Sequence, residues 1–287
     1  FALGRPASLD DGQGPTGTRG LESALPEPFM RARGGAGDWN GDGSVDFVTT
    51  PYGVSSGAIQ GRLFFNDGQG AFIESKSFLK LGVKGWSETI VTADFDNDDD
   101  LDIYIPVYPN RPPGESWLLL NDGEGEFVSV GKEAGLAVPL WPIPEGAQSI
   151  DFDGDGWLDI YVSSRFFMNR GLSQQGIPVF EEERFGLESR FDEGAKFIDA
   201  NRDGLWDIVE VHPSLGPALY LFDGTSFHRS ALPSAESGVR TATWGLNVCD
   251  VNNDGWEDFI IAGGNMNDQP ADPELYVNIG GQFILSD

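Results

Sequence analysis

The chain has 287 residues, a formal charge of −28, 39 glycines, 20 phenylalanines, 8 tryptophans and one cysteine. The charge excludes a nucleic-acid phosphate backbone as partner, and no apolar run approaches the ~20 residues of a membrane helix. A lone thiol, Cys249, excludes an internal disulfide, and with only His212 and His228 beside it no tetrahedral zinc site can be assembled.

Residues 1–29 carry Pro6, Pro15, Pro26 and Pro28 and read as an irregular N-terminal arm. The alternative is a degenerate half-blade, because "DGQG" (11–14) and "GLES" (20–23) echo "DGQG" (67–70) and "GLES" (186–189). The first residue is Phe rather than Met, so a removed leader or a fragment of a longer chain is expected. From residue 30 to 287 the chain repeats, and this span is expected to be one calcium-binding domain.

The repeat is announced by "DWNGDGSVD" (38–46) and returns as "DFDNDDDLD" (94–102), "DFDGDGWLD" (151–159), "DANRDGLWD" (199–207) and "DVNNDGWED" (250–258). The starts lie 56, 57, 48 and 51 residues apart. After each ladder comes a short run of β-branched and aromatic residues: "FVTT", "IYIPV", "IYVSS", "IVEV", "FIIAG". Such runs read as strands. Next comes an apolar segment entering a turn, as in "RLFFNDGQGAF" (62–72), "WLLLNDGEGEF" (117–127), "LYLFDGTSF" (219–227) and "LYVNIGGQF" (275–283). Asn, Asp and Gly there supply the positive φ of a tight hairpin. The third unit keeps "RFFMNRG" (165–171) with an insertion before "VFEEE", and a Gly closes units at 82, 135, 186 and 238. Four short strands in about 50 residues cannot bury both faces of a sheet alone, so units must pack side by side. The expected fold is all-β, a β-propeller with about five four-stranded blades.

Carboxylates crowded this closely repel, by roughly 1 kcal/mol at 4 Å in water and more near a protein surface. A cation is therefore expected among them. Positions 1, 3, 5 and 9 offer side-chain oxygens and position 7 a carbonyl. The donors are Asp38, Asn40, Asp42, Ser44 and Asp46 in the first loop, and Asp94, Asp96, Asp98, Asp100 and Asp102 in the second. The third has Asp151, Asp153, Asp155, Trp157 and Asp159, and the fourth Asp199, Asn201, Asp203, Leu205 and Asp207. The fifth has Asp250, Asn252, Asp254, Trp256 and Asp258. Hard oxygens in that number suit Ca²⁺, up to five ions, with Mg²⁺ second because it demands a tighter octahedron. An EF-hand is excluded: position 12 is Thr49, Ile105, Val162, Glu210 and Ile261, so only one loop has the required Glu. Loop three is the fullest cage. Loop two has Asp99 in place of the turn Gly, and Arg202 beside the ligands marks loop four as the weakest.

These residues resemble the FG-GAP and VCBS repeats of integrin-α-type β-propellers. The stretch "ADFDNDDDLDIYIP…LLLNDGEGEFVSVGKEAGL" is most similar to bacterial VCBS/UnbV-type proteins and the cartilage acidic protein family. The resemblance implies structural calcium sites in loops joining the first two strands of each blade, an exported protein (periplasmic, cell-surface or extracellular), and ligand-handling loops on the opposite face. It leaves five blades, or a six- or seven-bladed ring with degenerate parts, open.

The expected function is a non-catalytic, calcium-stabilised, extracytoplasmic binding or scaffold propeller. It would serve as a recognition module or an accessory subunit, including one docked on a membrane-associated complex, with a protein or glycan partner. The alternative is a carbohydrate-binding propeller or a polysaccharide lyase, with 51–61, 106–116 and 263–273 as candidate ligand loops. No nucleophile–base pair is legible, and His212 and His228 read as surface residues. Cys249 is expected to be a buried thiol of an innermost strand. Six residues before each first aspartate stand Ala32, Glu88, Glu145, Glu193 and Trp244, which predicts a negative ring at the channel mouth.

Overall fold

The computed structural model describes residues 34–50, 60–109, 114–140, 144–187, 194–212, 216–233, 242–264 and 273–286, with backbone alone at 242–244 and 263–264. The expected arm, 1–29, lies outside them, as do 51–59, 110–113 and 265–272 of the candidate ligand loops. Among the described residues no helix is long and apolar enough to cross a membrane.

Five four-stranded antiparallel sheets follow one another. The first holds β1 (Gly34–Gly37), β2 (Asp46–Thr49), β3 (Arg62–Asn66) and β4 (Phe72–Glu74). The second holds β5 (Val91–Ala93), β6 (Asp102–Ile105), β7 (Trp117–Asn121) and β8 (Phe127–Ser129). The third holds β9 (Gln148–Ile150), β10 (Asp159–Val162), β11 (Arg165–Leu172) and β12 (Pro178–Glu183). The fourth holds β13 (Gly194–Ile198), β14 (Asp207–His212), β15 (Gly216–Phe222) and β16 (Phe227–Ser230). The fifth holds β17 (Ala242–Cys249), β18 (Asp258–Gly264), β19 (Glu274–Asn278) and β20 (Phe283–Ser286). Each is a meander in chain order, and the fold is a β-propeller with five such blades among the described residues.

Local chemistry explains the boundaries. The hairpin after β3 is closed by Asp67, whose Oδ1 accepts from the amides of Gln69 (2.8 Å) and Ala71 (2.9 Å). Gly68 there has φ +72°, a backbone glycine adopts without strain. The insertion in the third unit appears as a register shift between Asn169 and Leu172 in the β11–β12 pair. The first blade also closes with a helix that the repeat pattern did not signal, α1 (Lys76–Leu81). Ser75 caps it by accepting from Phe78 N, and Gly82 ends it with φ +71°.

Alternation along each strand sends successive side chains to opposite blade faces, so the core lies between blades. Val48 and Leu63 meet Ile103, Ile105 and Leu119. Tyr104 and Leu118 meet Ile160, Val162 and Phe167. Tyr161, Phe166 and Met168 meet Ile208, Tyr220 and Phe222. Val209, Val211 and Leu219 meet Phe259, Ile261 and Tyr276. The innermost strands approach closely. A Cβ on Gly146, just before β9, would fall 2.9 Å from Ala195 N in β13, so only glycine fits.

Cys249 corrects its expectation: it is exposed. It stands at the end of β17 opposite Asp258, the register of Ile198 opposite Asp207 and of Ala93 opposite Asp102. Ile198 and Ala93 are covered by the blade that follows theirs. Among the described residues no sheet follows the fifth, so the same register leaves the thiol in solvent.

Candidate metal centres

Each aspartate ladder joins the innermost strand of a blade to its second strand. The loops share one backbone design. The first aspartate accepts from the position-6 amide through Oδ2: Gly43 to Asp38 (2.8 Å), Asp99 to Asp94 (3.0 Å), Gly156 to Asp151 (3.0 Å), Gly204 to Asp199 (3.2 Å) and Gly255 to Asp250 (2.8 Å). The position-5 aspartate accepts from the position-7 amide, from Ser44 to Asp42 (2.7 Å) through Trp256 to Asp254 (2.8 Å). Asp100, Trp157 and Leu205 donate to Asp98, Asp155 and Asp203 in the same way. Positive φ recurs at position 6 and also at position 4, where Gly41, Asn97, Gly154, Arg202 and Asn253 stand. The position-4 requirement was missed in the sequence, although Gly and Asn in four of the five loops signalled it.

The ninth-position aspartates have a structural task besides any ligating one. Both oxygens of Asp46, Asp102, Asp159, Asp207 and Asp258 accept backbone amides. For Asp102 these are Phe95 N (2.9 Å) and Asn121 N (2.9 Å), and for Asp159 they are Phe152 N (2.9 Å) and Asn169 N (2.7 Å). They thereby bolt the loop's second residue to the third strand. All five are buried. Burial pushes Asp102 up to about 8 and Asp159 and Asp207 up to about 6, against the amide hydrogen bonds that oppose the shift. Burial also raises Asp96, to about 6, with the Asp98 charge second.

Two loops gather carboxylates tightly enough to hold an ion. One oxygen each from Asp94, Asp96 and Asp98 lies within 4.8 Å of the others, and the same holds for Asp151, Asp153 and Asp159. In these loops Asp96 Oδ1 and Asp151 Oδ1 are buried without any hydrogen-bond partner. A buried, unpartnered carboxylate oxygen is costly, and a hard cation removes the cost, so both loops fit a metal of the calcium type. Loop three carries a competitor, since Arg170 Nη1 pairs with Asp153 at 3.1 Å. In loops one, four and five the Asn at position 3 instead donates to the aspartate at position 5: Asn40 to Asp42 (3.2 Å), Asn201 to Asp203 (2.9 Å) and Asn252 to Asp254 (3.0 Å). These loops satisfy part of their own charge. Arg202, at φ +59°, turns to the neighbouring blade, its guanidinium 4.2 Å from the Trp256 ring of loop five.

The loops are wired to the next blade. Asn121 Nδ2 donates to Trp39 O (2.9 Å), Asn169 Nδ2 to Phe95 O (2.8 Å) and Asn278 Nδ2 to Ala200 O (2.9 Å). Each asparagine lies on a third strand, at its end in the second and fifth blades and within β11 in the third, and holds the second residue of the preceding blade's loop. In the fourth blade Phe222 takes that place and packs on Phe152, the second residue of loop three, with ring centroids 5.0 Å apart.

On the β15–β16 turn, Ser226, His228 and Asp223 adjoin without forming a catalytic relay. Ser226 Oγ (3.1 Å) and Asp223 Oδ2 (2.7 Å) both contact His228 Nε2. A relay needs the carboxylate on the far nitrogen. Hydrogen bonds from Thr225 first, then Ser226 and His228, hold Asp223 well below the usual carboxylate range. Of the proposed mouth ring, Glu88 and Glu145 are described, while Ala32, Glu193 and the Trp244 side chain lie outside the described residues.

Blades joined core to core, each with an aspartate loop between its first two strands, define a repeat propeller built around acidic turns. The FG-GAP-like repeat model matches residues 38–105 and 199–261, so the β-propeller carries FG-GAP-like repeats in these two regions. Cartilage acidic protein 1 of Homo sapiens is 29% identical over 196 residues, covering 61% of this chain and 28% of that protein. The Mus musculus protein is 28% identical over 196 residues with the same coverage. The chain thus spans about 28% of the length of these relatives. Among solved structures, an Agrocybe aegerita lectin described as recognising non-reducing terminal N-acetylglucosamine superposes with TM-score 0.55 at 17% identity, over 88% of this chain and 65% of that one. The V. cholerae biofilm matrix protein Bap1 gives 0.52 at 15%, over 88% and 38%. At those identities the likeness is one of fold.

Proposed function

We propose that this chain is a calcium-stabilised, non-catalytic binding or scaffold propeller that works outside the cytoplasm. The observation that carries the reading is the pair of buried, unpartnered oxygens, Asp96 Oδ1 and Asp151 Oδ1, inside three-carboxylate groups. Asp94, Asp96 and Asp98 would hold one ion, with the Asp100 carbonyl and Asp102 completing the set. Asp151, Asp153, Asp155, the Trp157 carbonyl and Asp159 would hold a second. Loops one, four and five would bind more weakly, because a neutral Asn replaces one carboxylate and already engages another ligand. The ion's task there is structural: it neutralises the ladder and fixes the loop that the next blade holds. The similarity to cartilage acidic protein 1 supports an exported protein.

The test is thermal melting of purified protein in EGTA, then with Ca²⁺ or Mg²⁺ restored, alongside elemental analysis. EGTA should lower the melting temperature, and calcium should restore it more fully than magnesium. An unchanged melt in EGTA, with no calcium in the protein, overturns the reading.

A further inference from the structure

Loops two and three, the two that bring three carboxylates together, are joined by more than the packing of their blades. Asn97 stands at position 4 of loop two, between Asp96 and Asp98, with φ +58°. Its Nδ2 crosses to the third blade and donates to Gly156 O of loop three at 3.1 Å. That carbonyl belongs to the peptide group whose other end, Trp157 N, donates to Asp155 Oδ1 at 2.9 Å. Gly156 N in turn donates to Asp151 Oδ2 at 3.0 Å. One side chain of loop two therefore holds the backbone that aims two carboxylates of loop three. Hydrogen bonds in series polarise one another, so a fixed donor on Gly156 O also strengthens the bond from Trp157 N to Asp155.

A second connection lies buried beneath the first. Asp102 Oδ2 accepts from Phe95 N (2.9 Å), Asn169 Nδ2 donates to Phe95 O (2.8 Å), and Asn169 N donates to Asp159 Oδ1 (2.7 Å). This brace joins the ninth-position aspartates of the two loops through amides that need no ion, and so it fixes how the loops are spaced. The Asn97 bond is of another kind. Both chain neighbours of Asn97 are candidate ligands, so where Asp96 and Asp98 stand decides where its amide points.

We propose that loops two and three take up their ions cooperatively, with Asn97 as the positioning residue that couples them. The proposal rests on the reading of both loops as metal centres and adds that they are not independent. Filling loop two fixes Asp96 and Asp98, and with them the Asn97 amide. Loop three then meets its ion with its backbone already ordered, which is the condition for positive coupling between sites. The effect is reciprocal, so filling loop three favours loop two by the same factor. Repulsion between the two ions opposes it, but salt screens charges at an exposed loop face.

Trp157 is the only tryptophan of these two loops. Terbium, a luminescent stand-in for calcium, therefore reports loop three through the part of its tryptophan-excited emission that Trp157→Phe removes. In the intact chain at physiological salt, Asn97→Gly should raise the terbium concentration that half-fills loop three about fivefold, the low end of ordinary site-to-site coupling. Glycine already stands at this position in loops one and three, as Gly41 and Gly154, both at positive φ, so the change removes the amide without straining the turn. Asn253→Gly, the same change in loop five, should shift the midpoint less than about twofold, as expected of an independent site. Asp94→Asn/Asp98→Asn weakens loop two while leaving acceptors for its amides. It should raise the loop-three midpoint about fivefold in the otherwise native chain and less than about twofold beside Asn97→Gly. Equal shifts from Asn97→Gly and Asn253→Gly, no effect of weakening loop two, or an effect that persists without Asn97 overturns the proposal and leaves the metal reading standing. Absence of any Trp157-dependent, calcium-displaceable emission overturns the metal reading of loop three and the proposal with it.

Discussion

Replacing Asn169 by alanine removes a tie between the third blade and the second. Its Nδ2 donates to Phe95 O (2.8 Å) and Leu158 O (3.3 Å), and its Oδ1 accepts from Gly171 N (3.1 Å). The residue is 0% exposed, so no water is at hand to replace what is lost. A net hydrogen bond contributes about 1 kcal/mol, and a buried group stripped of its partner costs about 1–3 kcal/mol. The sum is a loss of about 2–4 kcal/mol. For a domain of this size 1 kcal/mol moves the melting temperature by about 2–4 °C, which gives a fall of roughly 4–16 °C. Asn66 supplies the internal control, because its amide also donates to its blade's ninth-position aspartate while its side chain does not reach another blade. Its Nδ2 donates to Val45 O (3.1 Å) within its own blade, at an exposed site. Asn66→Ala should therefore cost about 1 kcal/mol or less. Thermal and urea melts of both variants, followed by circular dichroism, measure the difference. Equal destabilisation would refute the view that the cross-blade bond, rather than the turn, is what the asparagine secures.

Asp155→Ala should lower the calcium-saturated melting temperature more than Asp203→Ala, since Asn201 already satisfies part of Asp203. A site held at 100-fold over its dissociation constant contributes about 2.7 kcal/mol, and melting curves at matched calcium settle the order. In EGTA the raised Asp102, Asp159 and Asp207 make stability fall as pH rises. Their folded values, about 8, 6 and 6, exceed the ordinary 3.8, so the protonated forms favour folding below about pH 4, and that contribution is lost through pH 6–8. Melts between pH 5 and 8 without metal should slope downward, and an upward slope would refute the assignment. Native Cys249 should react with a disulfide reagent at a rate near that of an unfolded control, because it is exposed; strong protection would show that this blade face is covered.

The ladders, the strands after them and the hairpins were legible because they are local. A carboxylate at every second position, a β-branched run and an Asn-Asp-Gly turn each announce themselves within a few residues. The asparagine in that turn was read as a supplier of positive φ, yet its larger role is to hold a carbonyl 74 residues away in Asn169 and 82 away in Asn121. No local pattern names such a partner. A signal did exist: Asn66, Asn121 and Asn278 follow the ninth-position aspartate by 20, 19 and 20 residues, and Asn169 by 10. Similarly, the ninth aspartate looked like one ligand among equals, and only burial reveals that it braces the loop. Cys249 was misjudged because the repeat predicts the register of a residue but not whether another blade follows its own.

The exchange of Asn for Phe222 gives the molecule an uneven mechanical character. A hydrogen bond weakens steeply once its angle falls below about 120°, so the joints made by Asn121, Asn169 and Asn278 resist tilting. Between the third and fourth blades the matching contact is apolar, Phe222 on Phe152 at 5.0 Å with Phe227 beyond it at 5.9 Å, and apolar packing has no preferred direction. Any bending pivot should therefore sit at the loop-side edge of that seam, because elsewhere the same two blades are latched by Gln148 Nε2 on Ala195 O (2.6 Å) and by the Tyr161 and Ser164 hydroxyls on Glu210 Oε1. Spin-label distance distributions taken across it should be broader than those across the joint that Asn169 secures, and equal widths would mean that no such pivot exists.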